Sequence, residues 1–493
     1  MNEKQEVKQK SIKLNLLMNV VKTLMGILFP LISFPYASRV LGTGGIGKVN
    51  YANSICSYFV LIAGLGISTY AIREGGSFRD DKEKLGKFAT EMFVINICST
   101  IVSLAAFGVV ILLPEFRDYR GLLLLMSLTI PFSTIGLAWL YQILEEYTRI
   151  TLQAIAFQGI SLVLLFVLVH DPSDYMWYGF ITVFANVGSN LLYFVSARKY
   201  IRLFGYRNYE IKKHLKPIFI IFGMTIASTI YLNLDVSMLG YIKGDDDVGI
   251  YTAAIKLSNI VCSLITSLST VILARLSYYL YNDAKEKYDK LLYSTANFIL
   301  FLAFPCAVGL CVLSKPLILL ISGIGFVAGT RTMQILSFRV ILSPISGFLA
   351  YQVLMPLKKE KYSMYATIVG CIVDIVLNAV LIPKYTYDGA AIATLFAETC
   401  VVAVCFIAGR KAMQFSKLIK NIAQYIGGVI VILLVAFGLQ RFIANEYLQI
   451  VAVTVFGGLG YIVFLMLLKN EFMIYIWQEV VRTIKKLRKG QDK

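Results

Sequence analysis

The stretch RKYIRLFGYRNYEIKKHLK, residues 198–216, carries seven Lys and Arg residues between two long apolar segments. Those segments cover about 177–200 and 216–242, and each is long enough to cross a bilayer, which takes about 20 apolar residues. The connections at their far ends, 170–176 (HDPSDYM) and 242–248 (IKGDDDV), hold one basic residue or none. Because short cytoplasmic loops collect Lys and Arg, this stretch predicts a membrane protein with its central connection in the cytoplasm.

The same alternation of basic and non-basic connections continues outward to both ends of the chain. Basic residues precede the first apolar segment, follow the second and fill the C-terminal tail: Lys4, Lys8, Lys10, Lys13, Arg73, Arg79, Lys82, Lys84, Lys87, Arg482, Lys485, Lys486, Arg488, Lys489 and Lys493. We therefore expect an even number of spans in the cell (cytoplasmic or inner) membrane, with both termini in the cytoplasm. The first segment has no small-residue cleavage site, so we expect it to be retained as a span.

The composition agrees with a membrane protein. At 58% hydrophobic and 15% charged residues, with a mean hydropathy of +0.71, a chain of 493 residues is too apolar for a soluble domain. A net charge of +18 would normally suggest a nucleic-acid partner. Because the basic residues alternate with spans, we expect them to set the topology and contact anionic headgroups, and we expect no nucleic-acid partner.

The apolar segments predict an all-α polytopic membrane protein with about 14 transmembrane helices. A faint internal repeat relates 40–54 (VLGTGGIGKVNYANS) to 242–256 (IKGDDDVGIYTAAIK), and Gly47 matches Gly249. The offset of about 202 residues corresponds to six spans. Since that number is even, the halves would be parallel repeats related by an axis along the membrane normal.

The repeat divides the chain into four predicted parts. Residues 1–209 and 210–415 would form two pseudo-symmetric six-helix lobes, 416–469 two further transmembrane helices, and 470–493 a cytoplasmic basic tail. Apolar residues recur in that tail at helical spacing between basic ones: Phe472, Ile476, Val480 and Ile484. This spacing is typical of an interfacial helix.

The sequence contains no complete motif for catalysis or metal binding. The run Gly42–Lys48 fits the first seven positions of a phosphate-binding P-loop, but Val49 stands where Ser or Thr should hold magnesium. All eight cysteines lie in apolar segments without paired metal spacing, which indicates packing residues. His170 and His214 fall on opposite predicted sides of the membrane, which argues against a His-based hydrolase or a zinc centre. The sequence therefore predicts a protein that is not an enzyme, with no catalytic residues, no metal and no cofactor.

Charged residues inside the apolar segments are candidates for a functional site, because charge in hydrocarbon is costly. At 1.5 Å per residue, Lys22 lies about 12 Å into the first span and Lys256 about 12 Å into the eighth. Arg39 and Lys48 flank the first outer turn, and Asp235 lies toward the outer end of the seventh span. We predict that these cations line a vestibule between the lobes that binds an anionic substrate. For Arg39 and Lys48, contact with the outer headgroups is the alternative.

A second charged set lies at mid-depth in the predicted second lobe. Arg339 is in the tenth span, Asp374 in the eleventh and Glu398 in the twelfth. Opposite charges at one depth on consecutive helices predict a structural ion-pair cluster. A coupling site for sodium or protons is the alternative, because Asp374 and Asn378 share a helix face at i, i+4 and would suit a cation.

Three short stretches carry a resemblance to a known family. They are 34–47 (FPYASRVLGTGGIG), 248–251 (VGIY) and the run 382–394, in which IPKY leads to DGAAIAT. In these stretches, and in its length, span number and repeat, the chain resembles the bacterial oligosaccharide flippases. Those membrane exporters move lipid-linked repeat units of O-antigen, capsule or exopolysaccharide.

The resemblance implies two six-helix bundles around a central cavity that opens alternately to each side of the membrane. The substrate would be a polyprenyl (undecaprenyl) pyrophosphate-linked oligosaccharide that enters from the inner leaflet. Its headgroup would cross through the cavity while its lipid tail stays in the bilayer. The resemblance implies membrane lipids as further partners, with a polysaccharide polymerase and a chain-length regulator as additional candidates.

The sequence leaves three alternative functions open. A drug/cation antiporter of the same superfamily would need an acidic cation site, for which Asp374 and Glu398 are the candidates. A flippase for lipid II or a teichoic acid precursor is a second alternative, although the peptidoglycan type carries several arginines along its first span, where this chain has Lys22 and a terminal Arg39. A membrane glycosyltransferase or polymerase would need catalytic acids on large outer loops, and the predicted outer connections are short.

Overall fold

The computed structural model describes residues 12–201, 205–206, 208–267, 269–282, 284–412, 416–474 and 477–478. Throughout these ranges the secondary structure is helical, without strands. Contacts between residues divide the chain into two compact units, Met1–Gly249 and Ile250–Lys493. The basic residues predicted to flank the spans at both termini lie outside the described ranges, apart from Lys13.

Among its described residues, the first unit is built from ten helices and the start of an eleventh. They are α1 Ile12–Gly64, α2 Ile67–Gly75, α3 Lys82–Leu112, α4 Arg120–Met126, α5 Thr129–Ile135, α6 Ala138–Ile143, α7 Tyr147–Leu168, α8 Tyr175–Val187, α9 Ser189–Ala197, α10 Ile211–Lys243 and α11 Asp245–Thr266. Short 3₁₀ helices cover Gly76–Phe78, Pro114–Tyr119 and Pro172–Asp174. The helix α1 packs against α3, α7 and α10 and forms the centre of this unit.

In the part of the second unit that the structure describes, the rest of α11 is followed by nine further helices. They are α12 Ser269–Tyr281, α13 Lys285–Val312, α14 Ser314–Ile321, α15 Thr330–Ser337, α16 Arg339–Gly347, α17 Glu360–Gly409, α18 Ser416–Phe442, α19 Glu446–Ala452 and α20 Gly458–Leu467. A 3₁₀ helix covers Ile324–Gly329, and two wide π-helical turns cover Phe348–Leu354 and Val453–Gly457. The π-helical turns continue α16 and α19 without interrupting the helical path.

Two of the long helices are broken at a single residue. In α1 the backbone of Gly42 has φ 65° and ψ −172°, and in α17 that of Thr386 has φ 50°. The conformation at Gly42 is accessible to glycine because it has no Cβ. Each of these helices therefore consists of two helices joined at a turn.

Eleven stretches within the described ranges are long and apolar enough to cross a membrane, or twelve if the bent pair Ile324–Ser337 and Arg339–Leu354 is one span. Two of these stretches contain a broken helix, α1 in one and α17 in the other. The chain is therefore an all-α polytopic membrane protein, as the composition predicts. The count of about 14 spans stays a prediction.

Large apolar side chains lie exposed on the outer faces of the helices. Leu112 is 71% exposed, Leu232 68% and Phe437 68%. In water such a surface would be unfavourable, but acyl chains solvate it. Inside the helix bundle, small residues allow close contact, which replaces the hydrophobic driving force that is missing in lipid. Gly240, for example, lies against the ring of Tyr51, where an added Cβ would be 2.2 Å from a ring carbon.

The short motifs of the sequence form turns and contacts between helices. Asp388, beside the break of α17, accepts a hydrogen bond from Thr332 Oγ1 at 2.7 Å and ties the turn to α15. A Cβ on Gly389 would lie 2.4 Å from the Leu381 carbonyl oxygen, so the turn requires glycine. Tyr251, fully buried, shares a hydrogen bond of 3.1 Å with Thr394. These residues of the resemblance therefore have structural roles.

Candidate substrate-binding site

The predicted cations of the first unit lie along α1. Lys22 lies in the first half of α1 and is partly buried. Arg39 is exposed and donates from Nη1 to the Pro35 carbonyl oxygen at 2.7 Å, one turn before it on the same helix. Lys48 is partly buried, with its ammonium nitrogen 5.0 Å from the centre of the Tyr175 ring. A cation at this distance over an aromatic face is attracted to it, so Lys48 is held toward α8.

The turn after Gly42 is joined to the turn between α10 and α11 by polar side chains. Thr43 donates its hydroxyl to the carboxylate of Asp246. Tyr119 donates its hydroxyl to Asp245 Oδ1 at 2.6 Å. Asp245 and Asp246 are the first residues of α11, so their negative charges also interact favourably with the positive end of its helix dipole. We refer to Thr43, Tyr119, Asp245 and Asp246 as the turn cluster.

Two glycines let the same two turns touch through their backbones. A Cβ on Gly47 would lie 1.8 Å from the Asp245 carbonyl oxygen, and a Cβ on Gly249 would lie 2.1 Å from the Thr43 carbonyl oxygen. Gly47 matches Gly249 at the offset of the repeat, and Thr43 matches Asp245 at the same offset. The contact is therefore reciprocal. Gly47 packs on Asp245, and Gly249 packs on Thr43, which is the residue that corresponds to Asp245 in the repeat.

Two further predicted site residues lie on α10 and α11. Asp235 is 7% exposed and lies within the first unit. Lys256 is partly buried in α11 and belongs to the second unit. A vestibule that joins Lys256 to the cations of α1 stays a prediction.

In the second unit, Arg339 and Glu398 form an ion pair between α16 and α17. Arg339 Nε lies 3.4 Å from Glu398 Oε1, and the two side chains are only 9% and 4% exposed. Arg339 also donates from Nη1 to the side chain of Asn259 on α11. Glu398 accepts from Ser346 Oγ at 3.4 Å. The pair therefore connects three helices of this unit.

The remaining members of that predicted set lie in the first half of α17. Asp374 is 1% exposed and Asn378 is fully buried. As expected for i, i+4 residues on one helix, both face inward. Their role as ion-pair members or as a coupling site stays a prediction.

A buried triad in the first unit was not singled out by the sequence. His214 Nε2 lies 2.9 Å from Glu91 Oε2, and these side chains are 4% and 3% exposed. Tyr70 shares a hydrogen bond of 2.7 Å with His214 Nδ1. Glu91 Oε1 also accepts the backbone N–H of Glu210 at 2.7 Å. The triad thus anchors the start of α10 on α2 and α3, and the only sequence signal for it is an acidic residue within the apolar part of α3.

Charges near the triad at the surface form a separate, solvent-exposed pair. Lys213 donates its ammonium to Glu210, and both side chains are more than half exposed. The hydrogen bond from Lys213 holds the pKa of the Glu210 carboxyl below its usual value. Throughout the described ranges, His, Cys, Asp and Glu side chains form no group that could hold a metal ion.

Comparison with known sequences shows which protein families the chain matches. Residues 12–279 match the family described as "Polysaccharide biosynthesis protein", and residues 220–380 match the family described as MatE. The chain is 23% identical over 378 residues to a protein of Escherichia coli (strain K12) described as "Putative O-antigen transporter". That similarity covers 76% of this chain and 91% of the relative.

Comparison with solved structures identifies the fold. The chain is similar to a structure of the lipid II flippase MurJ in an inward closed conformation, with a TM-score of 0.74 and 19% identity over 93% of this chain and 100% of the other. It is also similar to an inward-facing MATE-family multidrug resistance transporter, with a TM-score of 0.58 and 16% identity over 84% and 97% of the two chains. The chain therefore shares its fold with these two solved transporters. Because the first match spans residues 12–279, more than half of the chain, the protein belongs to the polysaccharide biosynthesis protein family.

Proposed function

We propose that the protein is a flippase for lipid-linked oligosaccharides. It moves polyprenyl pyrophosphate-linked repeat units from the inner to the outer leaflet of the cytoplasmic membrane for cell-surface polysaccharide synthesis. The observation that carries this proposal is membership of the polysaccharide biosynthesis family, together with similarity to an O-antigen transporter over 91% of that relative's length. The eleven or twelve apolar helices found within the described ranges supply the membrane-spanning scaffold that such a transporter requires.

The chain's own cations suit the charged part of such a substrate. Lys22, Lys48 and Lys256 are partly buried within apolar helices, where a pyrophosphate would be bound more strongly than by a fully exposed ion pair. In the proposed mechanism, lobes 1–209 and 210–415 open a central cavity alternately to each side. The pyrophosphate and sugars cross through that cavity while the polyprenyl chain stays among the acyl chains.

The flippase proposal is tested by transport in proteoliposomes. A lipid-linked oligosaccharide with a fluorescent sugar is placed in both leaflets, and its exposure to a membrane-impermeant quencher is followed with time. We expect Lys22→Ala and Lys256→Ala each to lower the transport rate at least tenfold, whereas arginine at either position retains part of it. Lys216→Ala is the matched control, because Lys216 is exposed near the start of α10.

The outcome of the same assay separates translocation from chemistry. A flippase leaves the mass of the recovered oligosaccharide unchanged, whereas a glycosyltransferase or polymerase alters it. Normal transport by both alanine variants would show that other residues line the cavity. No transport by the folded wild-type protein would reject the flippase proposal itself. A polysaccharide polymerase and a chain-length regulator are proposed as cellular partners, to be tested by co-purification.

A drug/cation antiporter is the second candidate function. The buried Asp374 and Asn378 on α17 and the MATE-like fold favour it. The pairing of Glu398 with Arg339 argues against it, since that carboxylate is already neutralised by a cation. Efflux of a cationic dye against an imposed sodium or proton gradient tests this function, and it should be lost in Asp374→Asn if the antiporter function is correct.

A further inference from the structure

A cavity of about 400 Å³ lies in the second unit between α12, α13 and the residues after α20. Arg275, Lys287 and Lys290 line it, with Glu471 as the acidic residue of the lining. Its volume falls within the range of about 300–1,000 Å³ that is typical of small-ligand sites. The excess of positive charge favours an anionic ligand.

One wall of this cavity is held in place by a buried amide. Asn470, which is fully buried, accepts the backbone N–H groups of Phe472 and Met473 at 3.1 Å each. Its own Nδ2 donates to Gln424 Oε1 at 2.5 Å. Phe472 packs against the ring of Phe301, with 5.7 Å between the ring centres. The segment that carries Glu471 and Phe472 is therefore fixed before any ligand binds.

Aromatic rings of α12 and α13 also line the cavity, beside the basic side chains. Arg275 donates from Nε to the Tyr279 hydroxyl at 3.1 Å, so its guanidinium lies along that ring. Tyr293 accepts a hydrogen bond from Asn421 at 3.0 Å and lies 3.4 Å from Glu471 Oε2, to which it donates. A cavity lined by both cations and aromatic carbon suits a ligand with both a phosphate and an apolar part.

The cavity also lies where a lipid headgroup is expected. Arg275 on α12 and Lys285, Lys287 and Lys290 at the start of α13 are basic, and the charge pattern predicts that these two helix ends face the cytoplasm. Tyr278 is 63% exposed and Tyr281 92% exposed at the end of α12. Tyrosines in such positions are typical of the level of the lipid headgroups. A phosphate in this cavity would therefore come from the inner leaflet.

We propose that this cavity is a binding site for the phosphate of an anionic phospholipid of the inner leaflet. Arg275, Lys287 and Lys290 hold the phosphate, with the guanidinium able to bind two of its oxygens at once. Tyr279 and Phe472 contact the glycerol and the upper part of the acyl chains. The site does not depend on which substrate the protein transports.

Titration of the purified full-length protein with lipid tests the proposal. Native mass spectrometry counts the molecules of phosphatidylglycerol bound, with phosphatidylcholine of the same acyl chains as the zwitterionic comparison. We expect tighter binding of phosphatidylglycerol, and about fivefold weaker binding for each of Arg275→Gln, Lys287→Gln and Lys290→Gln, since each basic residue near an anionic surface contributes a similar factor.

Two further variants make the result specific to this cavity. Lys285→Gln removes a charge from the same helix but outside the cavity lining, and it should leave the preference unchanged. Glu471→Gln removes the acidic group of the lining and should strengthen binding severalfold, an effect that partial unfolding would not produce. Thermal unfolding of each variant checks that the fold is intact.

Three outcomes would overturn the proposal. Equal binding of the two lipids would exclude a headgroup site for anionic lipid. An equal loss in Lys285→Gln and Lys287→Gln would assign the preference to diffuse surface charge. Displacement of phosphatidylglycerol by an equal concentration of soluble glycerol phosphate would show that the site serves a soluble phosphate compound instead.

Discussion

Glu91 and His214 illustrate, at the scale of single residues, how an apolar helix bundle accommodates ionisable groups. Every polar atom of the Glu91 carboxylate has a partner, because Oε2 faces His214 and Oε1 accepts a backbone N–H. Tyr70 serves His214 whether the ring is neutral or protonated, since a hydroxyl can donate to Nδ1 or accept from it. The triad therefore stays hydrogen-bonded in both protonation states of the histidine.

Breaking this triad should destabilise the protein strongly. We expect Glu91→Ala to lower the free energy of unfolding by at least about 2 kcal/mol, because it leaves the buried His214 Nε2 and the Glu210 N–H without their partner. Thermal unfolding in detergent measures the loss. Lys213→Gln is the control, because Lys213 lies next to His214 on α10 but its ion pair with Glu210 is exposed. Loss of that pair should leave the melting temperature nearly unchanged. Equal melting temperatures for Glu91→Ala and the wild type would exclude an anchoring role.

Arg339 and Glu398 lead to a second prediction at this scale. Arg339→Leu or Glu398→Leu alone should reduce the yield of folded protein, because each leaves a buried charge without its ion-pair partner. The double variant should recover much of that yield, since two leucines of similar bulk can pack together. Size-exclusion chromatography of the detergent-solubilised protein measures the yield. Normal yield but lost gradient dependence in the single variants would favour the coupling alternative.

At this scale the sequence marks the candidate site residues but does not reveal their partners. Lys22, Lys256 and Arg339 stand out because a charge in an apolar run is unusual wherever it points. The Glu91–His214 pair joins residues 123 positions apart. No local pattern reports such a distance, and His214 has basic neighbours on the chain that suggest a solvated loop. Only the packing of α10 on α3 brings the two together.

At the scale of helices, the break at Gly42 and the turn before α11 act as a matched pair. Gly42 and Gly244 both have positive φ, at 65° and 96°, with ψ near 180°. After each turn the following helix begins against the other turn, so that Gly47 contacts the backbone of Asp245 and Gly249 contacts the backbone of Thr43. The sequence predicted the correspondence of the turns from spacing. The sequence could not predict that the two turns are in contact, because no local sequence pattern shows which distant residue lies against a glycine.

An added methyl group should separate these turns. We expect Gly47→Ala or Gly249→Ala to slow disulfide formation between cysteines placed at Thr43 and Asp246 at least fivefold, in a protein otherwise free of cysteine. The physical reason is that either Cβ would lie about 2 Å from a carbonyl oxygen, far inside van der Waals contact. Gly223→Ala is the control, because a Cβ there meets nothing within 4 Å. Unchanged cross-linking in both variants would mean that the turns are not in contact in solution.

At the scale of the whole molecule, sequence repeat and packing divide the chain at different places. The repeat predicts a lobe that begins at residue 210, whereas contacts assign α10 to the first unit, which extends to Gly249. The difference has a local cause, since α10 is anchored at its start by His214 and packs along α1. Apolar length predicted the helical membrane fold well, because the bilayer imposes it. Which helices associate depends on shape, and composition does not encode it.

The predicted orientation can be tested for the chain as a whole. In a cysteine-free background, single cysteines at Asp171 and Ala444 should react with a membrane-impermeant maleimide from outside intact cells. Cysteines at Lys212, Lys285 and Lys358 should react only after the cells are opened, because the basic connections are expected in the cytoplasm. All five positions are exposed, so access should not limit the reaction. Labelling of position 212 in intact cells would overturn both the orientation and the even span number.

The two π-helical turns, Phe348–Leu354 and Val453–Gly457, have a consequence for evolution by insertion and deletion. A π turn accommodates one residue more than an α turn over nearly the same path. Losing that residue would restore an ordinary turn and leave the flanking segments facing the same neighbours. Elsewhere in a span, losing one residue rotates everything beyond it by about 100°. One-residue gaps between homologous spans should therefore collect at these two places.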